Sequence, residues 1–338
     1  MYDPTQGGTP ARRRGYTTRM DHPIPETAVE AALKPDGSRR KLGLALSCGA
    51  ARGWAHIGVL EVLSANGIVP DIVAGCSMGS LVGAAYVLGK LDQLRDWALS
   101  LTWREIIGLL DPSFSGGGLL RGERLLRFLR DNYPDLDIEQ TPIPFGAVVT
   151  DLATGREVWL REGNLFDAVH ASIAVPGLLG PARRDGRWLA DGGLVNPVPV
   201  SLCRAMGADI VIAVNVNTET PPLTEPPKTG GNGWPLAFDL TAPLRTLFGN
   251  GTNGESEAEP APPPMVRPGM MAAIGNALFI MQDVIARSRL AGDPPHLTLA
   301  PRMAHVGVQE FDRASVAIDE GRRCTEAMLP AIRDAVGR

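Results

Sequence analysis

Cysteine and aromatic residues are scarce in this chain: four cysteines and 5% Phe, Trp and Tyr in 338 residues. Cys48, Cys76, Cys203 and Cys324 form no C-x-x-C pair and have no histidine at metal-binding spacing, so the sequence contains neither a disulfide framework nor a zinc motif. Such sparse usage fits a reducing compartment, and a cytoplasmic protein is the expectation. No run reaches 18 apolar residues, so no transmembrane helix is expected. The nearest approach, "MMAAIGNALFIM" at 270–281, has the length of a buried or interfacial helix, and in the second case it would give peripheral membrane contact. A basic surplus is also missing: the net charge is -4, and no nucleic-acid partner is expected. Residues 1–41 alone are basic, with eight Lys/Arg against five Asp/Glu. Rich in Pro, Gly and Thr and lacking the apolar stretch of a secretory signal, residues 1–40 read as a disordered basic arm.

The whole chain is 44% apolar, and the remainder, 41–338, is long enough for one large domain. Strands are expected at "LGLALS" (42–47), "DIVAGC" (71–76), "FGAVVTDL" (145–152), "DIVIAVNV" (209–216) and "HLTLAP" (296–301), each rich in β-branched or apolar residues and stopped by turn residues. Helical periodicity fills 54–66, 78–89, 121–131, 198–206, a long stretch from 269, and 312–335. Strand and helix in alternation predict an α/β fold: a mostly parallel sheet covered on both faces. Residues 217–268, with eleven Pro and six Gly, break the rhythm and read as a mobile Pro/Gly-rich insertion. Its apolar island at 234–248 is read as a docking helix, a lid or a linker.

Functional loops in such sheets gather beyond the carboxyl ends of strands, and two motifs lie there. Gly75, Ser77 and Gly79 form a G-x-S-x-G where a strand meets a helix, a sharp turn that lifts a serine hydroxyl clear of the sheet. Ser77 is the candidate nucleophile. It needs a base, and the histidines serve poorly: His22 is in the arm, His56 is one turn into a helix, and His170 lies in "FDAVHASIAVP". Only His296 and His305 follow the chain order of a Ser, acid, His triad, and neither sits in a motif. A carboxylate fits better. In "GRWLADGGLVNPVPV", Asp191 ends a short apolar strand before Gly192 and Gly193, and in a partly dry site it can accept the serine proton.

Acyl transfer also needs donors for an oxyanion. "CGAARG" (48–53), between a strand and a helix, can offer the Gly49 and Ala50 amides; Ala50 is harmless there if its φ is negative. Arg52 either anchors the loop or meets a substrate phosphate, and Gly53 completes the turn. A dinucleotide-binding turn would need G-x-G-x-x-G, and its first glycine is missing where Cys48 stands, so that reading is disfavoured and no cofactor is expected.

Together the loop "CGAARG", the elbow "GCSMG" and the later "DGG" resemble the patatin-like phospholipase family, in particular its bacterial branch akin to the catalytic domain of neuropathy target esterase. The resemblance spans about residues 41–216 and, more loosely, 269–330. It implies a three-layer α/β/α patatin-like fold and a serine acyl hydrolase acting on lipid esters through a Ser77–Asp191 dyad and an acyl-enzyme, with Gly49 and Ala50 as oxyanion donors and no metal or cofactor. Cys48 departs from the glycine that many members carry there, and Cys76 is taken as packing. The substrate is expected to be a lysophospholipid, a phospholipid or a neutral acyl ester, entering by an apolar mouth built from 103–120 and the insertion. Two other readings stand beside it: a patatin-fold regulatory protein with slow or vestigial hydrolysis, and an α/β-hydrolase with a histidine triad.

Overall fold

The computed structural model describes residues 39–102, 118–120, 123–219 and 270–337; the expected arm, most of the insertion with its apolar island, and most of the 103–120 mouth lie outside them. Ten strands are described: β1 Leu42–Leu46, β2 Ile72–Cys76, β3 Gly118–Leu120, β4 Phe145–Asp151, β5 Arg156–Leu160, β6 Gly177–Leu179, β7 Ala182–Arg184, β8 Arg187–Asp191, β9 Ile210–Val214 and β10 Leu297–Leu299. Eight helices accompany them: α1 Ala55–Ala65, α2 Met78–Val87, α3 Leu91–Ser100, α4 Glu123–Asn132, α5 Leu165–Ser172, α6 Val200–Ala205, α7 Met270–Gly292 and α8 Ala314–Ala335.

The main sheet runs β10-β9-β1-β2-β4-β8-β7, with β5 also paired to β4. Its five strands from β10 to β4 are parallel, as expected from the alternation of strands and helices; β5, β8 and β7 are antiparallel additions. A small separate pair joins β3 to β6.

Two cores lie on opposite faces, and strand alternation sorts residues between them. Leu42, Leu44 and Leu46, Val73, and Ile210, Ile212 and Val214 enter the larger core with α1, α2, α5 and α8. Their alternates Ala45, Ala74, Cys76, Val211 and Ala213 face the smaller core with Val200, Leu202, Cys203 and, from α7, Ala286. Small side chains on that face let α6 and the turn after it approach closely: a Cβ on Gly43 would stand 3.1 Å from the Cys203 Cβ and 2.6 Å from the Ala208 Cβ. Layers of helix, sheet and helix follow, which is the expected architecture.

The helix expectations match to within two residues at most ends, whereas α3, α5 and the antiparallel strands β5 and β7 have no counterpart in them. Asn217 to Glu219, grouped with the insertion, are tied into the body: the Asn217 amide nitrogen Nδ2 donates to the Cys48 carbonyl, and the Glu219 carbonyl accepts from Arg52. Among the described residues no helix is long and apolar enough to cross a membrane.

Candidate active site

Register alone brings the elbow and the "DGG" turn to one height. Cys76 of β2 pairs with Val148 of β4, so Ser77 stands level with Val149, and Val149 in turn pairs with Asp191 of β8. Two strand spacings, about 10 Å, separate the two backbones, with β4 between them. Because Leu46 pairs with Gly75, the "CGAARG" loop leaves β1 at the same level.

Ser77 takes φ 52° and ψ -123°, a conformation that a residue with a Cβ adopts only under constraint. The constraint is steric and polar. A Cβ on Gly75 would overlap the Ser80 backbone, and one on Gly79 the Leu46 carbonyl, so the first turn of α2 can lie against the ends of β1 and β2 only with glycine at both places. The Ser77 carbonyl accepts from the Ser80 N–H at 2.8 Å and the Ser80 hydroxyl at 2.6 Å. Its N–H donates to the Ser172 hydroxyl at 2.9 Å, and that hydroxyl donates onward to the Val148 carbonyl at 2.7 Å. Backbone groups on both sides of the hydroxyl are therefore fixed, while Ser77 itself is 6% exposed.

Asp191 is 1% exposed and held by three of its four polar groups. Its N–H donates to the Ala174 carbonyl (2.9 Å), its own carbonyl accepts from the Thr150 hydroxyl (2.7 Å), and Oδ1 accepts from the Gly193 N–H (2.7 Å). Gly192 is crowded by the Val148 carbonyl, and Gly193 by Gln282 of α7, so both glycines of the turn answer to close neighbours. Oδ2 is buried with no hydrogen-bond partner among the described residues. Burial pushes the carboxyl up to about 6, and the Ser77 side chain, followed by the Gly193 amide, pulls it partly back. The Ser77 side chain is thus a polar neighbour of the carboxyl, and no hydrogen bond occupies Oδ2 among the described residues.

The loop after β1 carries unpaired donors. The N–H groups of Cys48, Ala51 and Arg52 donate to Pro197, Val308 and Gly49 carbonyls, whereas those of Gly49 and Ala50 find no acceptor among the described residues. Gly49 is extended (φ 170°), and glycine is needed there because a Cβ would overlap Val216. Ala50 departs from expectation: its φ is +46°, in the left-handed region, so the methyl group is not harmless. Gly53 lets the turn pack against Met78, where a Cβ would overlap that side chain.

Of the two readings of Arg52, the structure displays the anchor. The side chain is fully buried; Nε donates to the Val306 carbonyl (2.7 Å), Nη1 to the Glu219 carbonyl (2.6 Å), and the guanidinium lies 5.1 Å from the Phe279 ring centroid. Burial lowers its pKa to about 10, against the pull of Glu219 and Glu310. Cys48, in place of a loop glycine, turns its thiol toward Gln282 Oε1 at 3.4 Å. Cys76 is fully buried as packing, and burial followed by the Cys48 thiol pushes it well above the usual thiol range.

The histidines are engaged elsewhere. His296 Nδ1 accepts from the Val211 N–H, His305 faces Glu320 at 3.6 Å, and buried His56 pairs its Nε2 with the Ser47 carbonyl, burial holding its pKa down at about 4. Sequence reasoning missed Ser172 and Asn217. Ser172 lies in an ordinary helical segment with no motif of its own, and Asn217 falls within the Pro/Gly-rich composition of the insertion.

Comparison with known proteins converges on one family. A family model described as patatin-like phospholipase matches residues 44–204. The chain is 37% identical over 342 residues to Uncharacterized NTE family protein Rv1063c of Mycobacterium tuberculosis, covering 89% of this chain and 95% of that one. It is 31% identical to Uncharacterized NTE family protein Rv2565 of the same organism, over 88% of this chain and 48% of that one. Patatin-like phospholipase domain-containing protein 6 of Mus musculus is 34% identical over 53% of this chain and 14% of its own length. A solved structure, VipD from Legionella pneumophila, covers 88% of this chain and 77% of its own at 15% identity and a TM-score of 0.33, too distant to bear on the site. With a near full-length relative at this identity, the chain belongs to the NTE group of the patatin-like phospholipase family.

Proposed function

We propose that this protein is a serine acyl hydrolase of lipid esters that works through a Ser77–Asp191 dyad. One observation carries the reading: a serine in a strained elbow stands level with a buried carboxylate whose Oδ2 has no hydrogen-bond partner among the described residues. Asp191 Oδ2 takes the Ser77 proton as Oγ attacks the ester carbonyl carbon. The carbonyl oxygen becomes an oxyanion and accepts from the Gly49 and Ala50 N–H groups. Collapse breaks the ester C–O bond, Asp191 returns its proton to the departing alkoxide, and Ser77 is left acylated. Water then gives its proton to Asp191 and attacks the acyl-enzyme; a second tetrahedral intermediate collapses to the fatty acid, and Ser77 regains the proton. A carboxylate with a pKa near 6 suits both roles at neutral pH, since it is ionised yet more basic than an exposed aspartate.

The acyl donor is a membrane-derived ester such as a lysophospholipid, phospholipid or neutral acyl ester. Exposed Ile274, Ile280, Met281 and Val284 on α7 support peripheral contact with a lipid surface, and retention on anionic vesicles at both low and high salt would bear that out; recovery free of vesicles would remove it.

Intact-protein mass after fluorophosphonate treatment, read beside hydrolysis of a short p-nitrophenyl ester, tests the dyad. The expected outcome is a single phosphonyl adduct on the wild type, none on Ser77→Ala, and turnover lost in both Ser77→Ala and Asp191→Asn. Turnover surviving in Ser77→Ala would refute the proposal. Loss in His296→Ala or His305→Ala with Asp191→Asn active would replace it with a histidine triad.

A further inference from the structure

We infer that Asn217 is a positioning residue that sets the direction of the Gly49 N–H; the inference rests on the oxyanion role proposed above for the loop.

A peptide group is planar and trans, so the C=O of residue 48 and the N–H of residue 49 point in opposite directions. Whatever holds that carbonyl aims that N–H. The Cys48 carbonyl accepts from Asn217 Nδ2 at 3.1 Å, a buried contact between the end of β1 and the segment leaving β9, 169 positions on in the chain. The neighbouring peptide is fixed differently: the Gly49 carbonyl accepts from the Arg52 N–H at 3.0 Å, so the direction of the Ala50 N–H is set by the backbone turn itself. Of the two unpaired donors, one is aimed by backbone and the other by a single side chain.

Asn217 is itself held for this task. It is 3% exposed, its N–H donates to Asn215 Oδ1 at 3.1 Å, and Nδ2 also approaches the Cys48 thiol at 3.5 Å. Its Oδ1 has no partner among the described residues, so the amide is kept in place by what Nδ2 donates rather than by a full set of bonds. Gly49 is the residue that makes the support necessary. Glycine permits the rotations about ψ of residue 48 and φ of residue 49 that would flip the peptide, and a flip would turn a carbonyl oxygen toward the site where an anion forms. Among the described residues no other donor reaches the Cys48 carbonyl.

Asn217→Asp keeps the volume and removes the NH2 donor; Asn217→Leu keeps the approximate shape and removes both polar atoms. The measurements are kcat and KM for a short p-nitrophenyl ester, the inhibition constant of a trifluoromethyl ketone that forms a hemiketal oxyanion with a serine, and the melting temperature, with Ser77→Ala assayed alongside. Loss of one oxyanion donor typically lowers kcat by about 100-fold or more. The expectation is a fall approaching that size in both variants, KM little changed, and ketone affinity lost by the same factor as kcat/KM. A purely structural role would lower the melting temperature and the active fraction without weakening the ketone selectively. Wild-type kcat and ketone affinity in either folded variant would overturn the inference while leaving the dyad intact. Turnover that survives Ser77→Ala would overturn both. If one variant does not fold, the other decides on the same readouts; if neither folds, Asn217 is a folding residue and the inference falls.

Discussion

Ser77 and Ala50 are alike in backbone and opposites in support. Each is a non-glycine residue with positive φ, +52° and +46°, at the carboxyl end of adjacent strands. The elbow is locked from within its own motif: Gly75 and Gly79 bring the helix close, and Ser80 caps the Ser77 carbonyl three residues away. The loop is locked from outside, by Pro197, Asn217, Val306 and Val308. Backbone strain persists only where surroundings over-determine it, and these two turns reach that condition by local and by long-range means.

The largest effect separates chemistry from stability at Asp191. Asp191→Asn should cost turnover about 10⁴-fold, the scale seen when the aspartate of a serine-protease triad is replaced by its amide. The same change should stabilise the fold. With the carboxyl raised from 3.8 to about 6, the folded protein binds the proton more tightly than the unfolded chain does, so burial of the charge is a penalty. That penalty, about 3 kcal/mol at neutral pH, is present in full above the folded pKa. It fades as pH falls from 6 and is gone below 3.8. Denaturant melts of wild type and Asp191→Asn should therefore diverge at pH 7 and converge toward pH 4, while kcat/KM of the wild type falls on the acid side of about 6. Equal stabilities at pH 7 would mean that Asp191 is solvated more than its burial implies.

Next in size is Ser172→Ala, which removes the side-chain hydrogen bond that reaches the elbow from outside its motif. It leaves the Ser77 N–H and the Val148 carbonyl without their buried partner, a loss of about 1–3 kcal/mol. Phosphonylation of Ser77 should slow as well, because the strained residue gains freedom; Ser172→Thr, which keeps the hydroxyl, should restore part of the rate. A melt and a labelling time course together check this, and unchanged labelling in Ser172→Ala would show that Ser80 and the glycines hold the elbow unaided.

The contrast between local and distant support also explains what could be read from the sequence. The five parallel strands, most helices, the elbow and Asp191 were legible because each is written in a few consecutive residues: an apolar alternation, a G-x-S-x-G, a D-G-G. The β7–β8 hairpin was legible too and went unread; Asp185-Gly186, both at positive φ, is the two-residue turn that such a dipeptide signals. Asn217 was not legible in the same way. Nothing in "NVNTET" announces a contact with residue 48, since the contact exists only after β9 has paired with β1. The sign of φ at Ala50 escaped for a related reason: alanine is the wrong residue from which to expect a left-handed turn.

That misfit gives the smallest and sharpest test of the comparison. Ala50→Gly removes the Cβ from a left-handed position and should stabilise the fold by about 1 kcal/mol, less what glycine's extra freedom in the unfolded chain takes back. The matching change at the elbow, Ser77→Gly, would relieve similar strain but delete the proposed nucleophile. If the loop is strained only by its side chain, Ala50→Gly should raise the midpoint of a urea melt slightly with kcat unchanged, since the Ala50 N–H is aimed by the Gly49–Arg52 backbone bond. A fall in kcat without a loss of stability would mean that the methyl group keeps the loop rigid, and that alanine holds its donor in place by the very strain it introduces.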